Sequence, residues 1–583
     1  MKTTLLLLLL PTLLFAQEFT FELETSSIPV EMEEWMPYEP FAGGLSESHP
    51  KYFDIDSDQD YDLFIGQYWG YVDYFENTGT MNSPILTLVS FSWESISCFP
   101  NNSRSNPDFF DLDNDGDSDI LIGAGYVRYY RNEGTSSIPS YSGFQDTLFD
   151  VSGNWVFGTH VALLDIDSDN DGDLICGEYQ GHLQLYRNIG TVDSFSFYLE
   201  DDFWLNVNVG SSGSADPTFC DIDSDNDYDL FIGERYGKIW YYRNDGDSVN
   251  YDFTYVTDNF YDIDVGNYSS PEFADIDGDG DYDLFVGKEN NSAEPLGDIY
   301  FYENVGTPQN ADFVLRAKNY LMVDINQFSP TPRFVDINAD NALDLIAGDG
   351  TQLDYFENIG DSISAEYLFI EQGFQNISEP SISPYFVDID ADQDLDLFCG
   401  KGAIPGPPSI SLYLNQGTPR TPNFQLYSSQ FVTNPDFFVW IMPVLADIDA
   451  DDDYDLFVFD SDDYFYFYEN TGTPQWPDFT LITNQWQGIH IFPSQDTWYG
   501  FDFADLDGDL DLDLLIESPE QNNLYFYRNQ GSPQVPVMIL EDEQFLEEDY
   551  NYIYIPDLTD IDSDGDYDLF IGHTNGGILF FRN

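Results

Sequence analysis

Ten stretches of this chain place a side-chain oxygen at nearly every second position. They are Asp54, Asp56, Asp58, Asp60 and Asp62; Asp111, Asp113, Asp115, Asp117 and Asp119; Asp165, Asp167, Asp169, Asp171 and Asp173; Asp221, Asp223, Asp225, Asp227 and Asp229; Asp275, Asp277, Asp279, Asp281 and Asp283. Then come Asp336, Asn338, Asp340 and Asp344; Asp388, Asp390, Asp392, Asp394 and Asp396; Asp447, Asp449, Asp451, Asp453 and Asp455; Asp505, Asp507, Asp509, Asp511 and Asp513; Asp560, Asp562, Asp564, Asp566 and Asp568. Alternation in an extended loop points these groups inward together. Positions 1, 3, 5 and 9 offer side-chain oxygens, and position 7 a main-chain carbonyl. Calcium takes 6–8 oxygens at about 2.3–2.6 Å, so the pattern suits it, with up to about ten ions in all. Magnesium keeps its own waters and fits less well. Without an ion, the crowded carboxylates repel and their pKa values rise.

An EF-hand is excluded. Position 12 is apolar (Ile65, Ile122) where a bidentate Glu is needed, and the flanks read as strands. Position 6 requires a sharp turn. Gly116, Gly280, Gly565, Asn170, Asn226, Asn341 and Asp452 tolerate the left-handed region, whereas Gln59, Gln393 and Leu510 fit it less well.

The copies recur every 52 to 61 residues. A fixed period of this size marks a solenoid, propeller or repeat array. In the first copy, Lys51–Phe53 enters the acidic loop and Leu63–Gly66 leaves it. Tyr71–Phe75 follows, then an Asn77/Gly79 turn and Ile85–Val89. Aromatic and β-branched runs bounded by Gly, Asn and Asp are strands, four per unit. No window after the first residues has helical periodicity. The fold class is all-β, a propeller of four-stranded blades with ten repeats. The last unit stops after its third strand, and Glu18–Leu23 resembles a fourth, so the N-terminal strand completes the last blade. One closed ring of ten is expected, because no Pro-, Gly- or Ser-rich linker divides the chain. Two smaller rings, or a seven- or eight-bladed ring with extra blades, are the alternatives.

Acidic residues number 108 against 17 basic ones, a net charge of −91. Nucleic acid and anionic membranes are therefore poor partners. Residues 1–16 have one lysine, an apolar core and a small residue at Ala16, the form of a secretory signal. The mature domain would be 17–583, secreted or at the cell surface, a monomer with no membrane span. Sequons lie at Asn101, Asn267, Asn290 and Asn376. Cys98, Cys176, Cys220 and Cys399 read as small buried hydrophobes. His49, His160, His182, His490 and His573 are scattered through different units, outside any nucleophile or zinc motif, and read as surface or rim residues.

Phe-x-Asp-Ile-Asp-x-Asp-x-Asp-x-Asp-Leu-Phe-Ile-Gly, with Tyr-Tyr-x-Asn-x-Gly-Thr behind it, resembles the FG-GAP/VCBS repeat family, which includes the propeller of integrin α subunits. The resemblance implies a β-propeller with calcium in the loop joining the first two strands of each blade. The ligands it implies in the first copy are Asp54, Asp56, Asp58, the Asp60 carbonyl and Asp62, with the same offsets elsewhere. The family includes adhesion modules, lectins and scaffolds, so the fold does not fix one activity.

The expected function is a calcium-binding module for an extracellular protein or glycan partner, with no enzymatic activity. Trp69, Trp155, Trp204, Trp240, Trp486 and Trp498 are candidates for stacking on sugar rings, against the alternative that they fill spaces between blades. A polysaccharide-degrading enzyme using the propeller channel, or a purely structural envelope protein, are the other readings. An enzyme would require His, Arg, Tyr or Lys to converge on one face.

Overall fold

Ten antiparallel sheets repeat one sequence pattern of four strands from inside to outside, in chain order in all but the last, whose outer strand comes from the N-terminal segment. The computed structural model describes residues 19–583 apart from 46, 97, 99–103, 142–145, 192–193, 211–213, 290–297, 326–329, 404–405, 461–463, 474–475, 490–499, 519–522 and 547–552. The signal-like segment, His490, Trp498, Asn101 and Asn290 lie outside the described residues. We number the sheets as blades 1 to 10. Blade 1 is formed by His49–Phe53, Asp62–Gly66, Val72–Asn77 and Leu86–Ser90. The second strands are buried, throughout in Asp62–Gly66 and Asp229–Gly233, because neighbouring blades cover both their faces. The fourth strand is largely exposed, as in Phe253–Thr257.

Blade 10 is completed by Glu22–Leu23, which pairs antiparallel with Ile578–Arg582. This removes an exposed sheet edge. Val30–Glu31 then pairs in parallel with the outer strand of blade 6, Val30 beside Tyr367.

The blades close into two rings of five. Where blade 1 meets blade 2, a Cβ on Gly66 would lie 2.1 Å from the Ser105 carbonyl oxygen, so only glycine lets the backbones approach. The same contact joins Gly287 of blade 5 to the Ser48 carbonyl entering blade 1, at 2.0 Å. It also joins Gly572 of blade 10 to the Pro330 carbonyl entering blade 6, at 1.9 Å. Tyr52 accordingly packs on Phe285, centroids 4.6 Å apart, and Phe334 on Phe570 at 3.9 Å. Blades 1–5 thus form one ring and blades 6–10 the other. The single ring of ten gives way to its two-ring alternative. Closure is decided by which blade edges meet, and the repeat pattern is the same at every edge.

Residues 19–48 tie the rings together. Trp35 stacks on Tyr320 at 5.5 Å beside blade 5, and Phe41 lies 5.8 Å from Phe570 of blade 10. Among the described residues, a short 3-10 turn after the fourth strand of five blades drives one aromatic between neighbours: Trp93, Trp204, Phe260, Phe374 and Trp486, all buried. Trp204 and Trp486 are therefore core wedges and do not face sugar. Trp69 and Trp240 are half-buried, and Trp155 is exposed. The four cysteines are free and buried.

Candidate metal centres

Each acidic loop is built by two left-handed residues. Ser57 (φ 65°) and Gln59 (φ 82°) turn the first loop, and Gly278 (68°) and Gly280 (95°) the fifth. Position 4 is thus as sharply turned as position 6, a feature that Ser57, Ala339 or Ala391 gives no sign of in sequence. Gln59, Gln393 (76°) and Leu510 (72°) adopt the left-handed region despite their side chains. The turn folds the main chain around Asp54, whose carboxylate accepts the N–H groups of Asp58 at 3.1 Å and Gln59 at 3.2 Å.

In the first four loops, one oxygen from each of positions 1, 3 and 5 lies within 4.8 Å of the others: Asp54/Asp56/Asp58, Asp111/Asp113/Asp115, Asp165/Asp167/Asp169 and Asp221/Asp223/Asp225. Buried oxygens at position 3 have no hydrogen-bond partner in Asp113, Asp167, Asn338, Asp390, Asp449, Asp507 and Asp562. The same holds at position 7 in Asp60, Asp117, Asp171, Asp394 and Asp511, so that carboxylate also turns inward where only its carbonyl was expected to serve. Buried acceptors without donors fit a cation. Burial, then the charge of Asp58, pushes Asp60 up to about 6. Position 9 is differently placed. Asp62 accepts from the backbone N–H groups of Asn77 at 2.8 Å and Ile55 at 3.4 Å, and burial pushes it up to about 7. Side chains at positions 1, 3, 5 and 7 turn toward the loop interior, while position 9 anchors the loop through Oδ1 and, in Asp396 and Asp513, also keeps a buried Oδ2 without a donor.

Four loops also receive a guanidinium at position 3. Arg131 lies 2.6 Å from Asp113 and Arg187 2.9 Å from Asp167; Arg528 and Arg582 pair with Asp507 and Asp562.

The family model described as the FG-GAP-like repeat matches residues 221–286, from the fourth acidic loop to the second strand of blade 5. An FG-GAP-like repeat is thus recognised within residues 221–286. No curated protein matches it. Among solved structures, an Agrocybe aegerita lectin, described as recognising non-reducing terminal N-acetylglucosamine, is similar at 16% identity and a TM-score of 0.26. That match covers 67% of this chain and 91% of the lectin. BBS1N in complex with ARL6DN is similar at 11% identity and a TM-score of 0.23, covering 65% of this chain and 96% of that one. At these scores neither carries an argument about this chain. The repeats and the propeller architecture support a protein-binding module. Among the described residues, no helix is long and apolar enough to cross a membrane.

The axis of the blade 1–5 ring holds a second constellation. The first residues of its five inner strands are His49, Asn106, His160, Asp216 and Ser270, each paired across its sheet with the closing glycine. His49 and His160 are buried and their ring centroids are 5.1 Å apart, so they are not the rim residues expected. His573 is buried as well. Burial holds His160 down at about 4. One layer further in, Lys51 Nζ bridges Asp108 at 2.9 Å and Glu272 at 3.4 Å. In the other ring the equivalent inner layer is closed by Arg333, 2.7 Å from Asp557. The pairing of His49 with His160 was invisible in sequence, because 111 residues separate them.

A third feature is an exposed aromatic platform on blade 2. Tyr126, Phe149, Trp155 and Phe157 surround the short ribbon Gly125–Tyr126/Phe157–Gly158, with centroids 4.5–5.3 Å apart. Each is 40% exposed or more.

Proposed function

We propose that this is a secreted or cell-surface, calcium-stabilised propeller that binds a protein or glycan partner, in the manner of an adhesion module. The observation that carries the reading is the set of buried, unpartnered carboxylate oxygens at positions 3 and 7 of the loops. Calcium would be held by Asp54, Asp56, Asp58, Asp60 and Asp62 and by the equivalent residues elsewhere. It would supply the positive charge that lets these loops pack between sheets. FG-GAP repeats are typical of extracellular proteins, where calcium is plentiful and millimolar sites fill.

The partner would meet the blade 2 platform, since exposed aromatic groups present apolar faces suited to sugar rings or protein side chains. Glycan-array and surface-capture measurements in calcium test this. Binding that Trp155→Ala abolishes supports it; binding that Trp155→Ala and Tyr126→Ala both leave unchanged contradicts the placement. An enzyme acting on the ring axis is the second reading, favoured by the meeting of His49 and His160. The burial of both imidazoles counts against substrate access there.

A further inference from the structure

Among the described residues, the mixed histidine–carboxylate cluster sits apart from the calcium loops, and its donors are of another kind. We propose that His49, His160 and Asp216 bind one divalent transition-metal ion of zinc type on the axis of the blade 1–5 ring. His49 Nδ1 lies 3.3 Å from Asp216 Oδ2, and His160 Nε2 lies 3.9 Å from the same oxygen. Nitrogen and oxygen donors at about 2.0–2.2 Å from a tetrahedral zinc stand about 3.4 Å apart, so a small contraction would close the site. Two imidazoles and one carboxylate leave a fourth position for water, and they suit zinc better than calcium, which prefers oxygen.

The surroundings fix which nitrogen faces inward. Thr159 Oγ1 donates to the Gly177 carbonyl at 3.1 Å, so its lone pair accepts from His160 Nδ1 at 3.1 Å. That leaves the lone pair of Nε2 aimed at the Asp216 carboxylate. Two acceptors facing each other in a buried site repel unless a cation or proton lies between them. Behind His49, Nε2 has no hydrogen-bond partner, and the Glu47 carboxylate stands 3.8 Å away, itself gripped by Arg104. Asn106 Nδ2 is 3.4 Å from Asp216 Oδ1, and Asn106 Oδ1 accepts the Val161 N–H at 3.0 Å. Ser270 Oγ lies 3.2 Å from His49 Nδ1. Outer partners of this kind orient metal-binding histidines and carboxylates.

The blade 6–10 ring supplies a contrast. Its equivalent positions are Thr331, Ser383, Met442, Gly500 and Ile555, with no imidazole or carboxylate among them. The shared repeat does not require ligands at this layer. The metal-free alternative is a neutral His160 whose N–H donates to the Ala215 carbonyl beside Asp216.

The test uses the full chain, saturated with calcium so that the acidic loops are filled. Cobalt(II) is added alone and its visible absorption followed. We expect one equivalent to give the intense bands of a low-coordinate nitrogen-containing site. His160→Gln and Asp216→Asn should each weaken binding by more than the roughly 10–100-fold that outer-partner changes cost, and Thr159→Val should fall within that range. Should a variant fail to fold, anomalous scattering from crystals of the unaltered protein soaked in cobalt replaces it. A peak bonded to His49, His160 and Asp216 supports the site. Absence of that peak, or cobalt bands unchanged by His160→Gln, overturns it.

Discussion

Asp62 Oδ1 accepts the backbone N–H of Asn77 at 2.8 Å, and this bond joins the end of the acidic loop to the turn after the third strand. All ten blades make it, from 2.7 Å for Asp229 and Asn244 to 3.0 Å for Asp568 and Asn583. Asn77 Oδ1 in turn accepts the N–H groups of Gly79 at 3.1 Å and Ile85 at 3.0 Å. Loop and turn are therefore one unit: the first aspartate of each motif shapes its own loop, and the last ties that loop to the turn after the third strand.

Positions 3 and 9 should consequently respond differently to substitution. Asp229→Ala strands the buried Asn244 N–H and should cost about 1–3 kcal/mol with or without calcium. Asp223→Ala should cost stability in calcium and little in EGTA. Paired thermal melts of both variants measure this. Equal calcium dependence would contradict the division of roles.

Leu510 sits at φ 72° and is exposed, so its side chain gains little there and its backbone is strained. Leu510→Gly should stabilise the protein, by about 1 kcal/mol, because the left-handed region costs a non-glycine residue about 1–2 kcal/mol while glycine adds chain entropy to the unfolded state. Denaturant unfolding reads the shift, and a loss of stability would count against the turn geometry.

The loops should fall into two classes of calcium affinity. Arg131, Arg187, Arg528 and Arg582 reach position 3 in blades 2, 3, 9 and 10, whereas Glu76, Glu303, Glu357 and Glu469 stand at the matching places in blades 1, 5, 6 and 8. A nearby positive charge opposes a divalent ion. Arg187→Gln should tighten its loop about tenfold at low salt. Calorimetric calcium titration would show the weak class shrink by one site; an unaltered isotherm would refute the effect.

Much of this was readable in the residues, for definite reasons. Strand runs such as Leu63–Gly66 and turns such as Asn77/Gly79 are local, so their order and number follow from the period. Ring closure depends on Gly287 meeting Ser48 rather than blade 6, and no residue type records that choice. The axial cluster was missed for the same reason, since His49, His160 and Asp216 look like ordinary strand entries until the ring brings them together. The left-handed position 4 was hidden because Ser57 and Ala339 are not turn-forming by type.

Glu517 stands where most blades carry the closing glycine, and it is fully buried with one oxygen unpartnered. Burial raises its pKa well above the ordinary 4.5. A carboxyl whose folded pKa is raised contributes full stability below the unfolded value and loses it as pH climbs through the folded one. Glu517→Gln should therefore match the unaltered protein near pH 4.5 and become progressively more stable than it above that pH. Melting temperatures across pH 4.5 to 8.5, about four units, check the sign; a difference that does not change with pH would contradict it.

Calcium is proposed to hold the ten acidic loops between the blades. The most direct measurement is a thermal melt of the full chain in calcium, after EGTA, and after calcium alone is restored. Each site filled at a hundred times its Kd adds about 2.7 kcal/mol to the folded state. A large fall in Tm on chelation, fully regained with calcium, is expected. A Tm that stays the same through all three steps would contradict it.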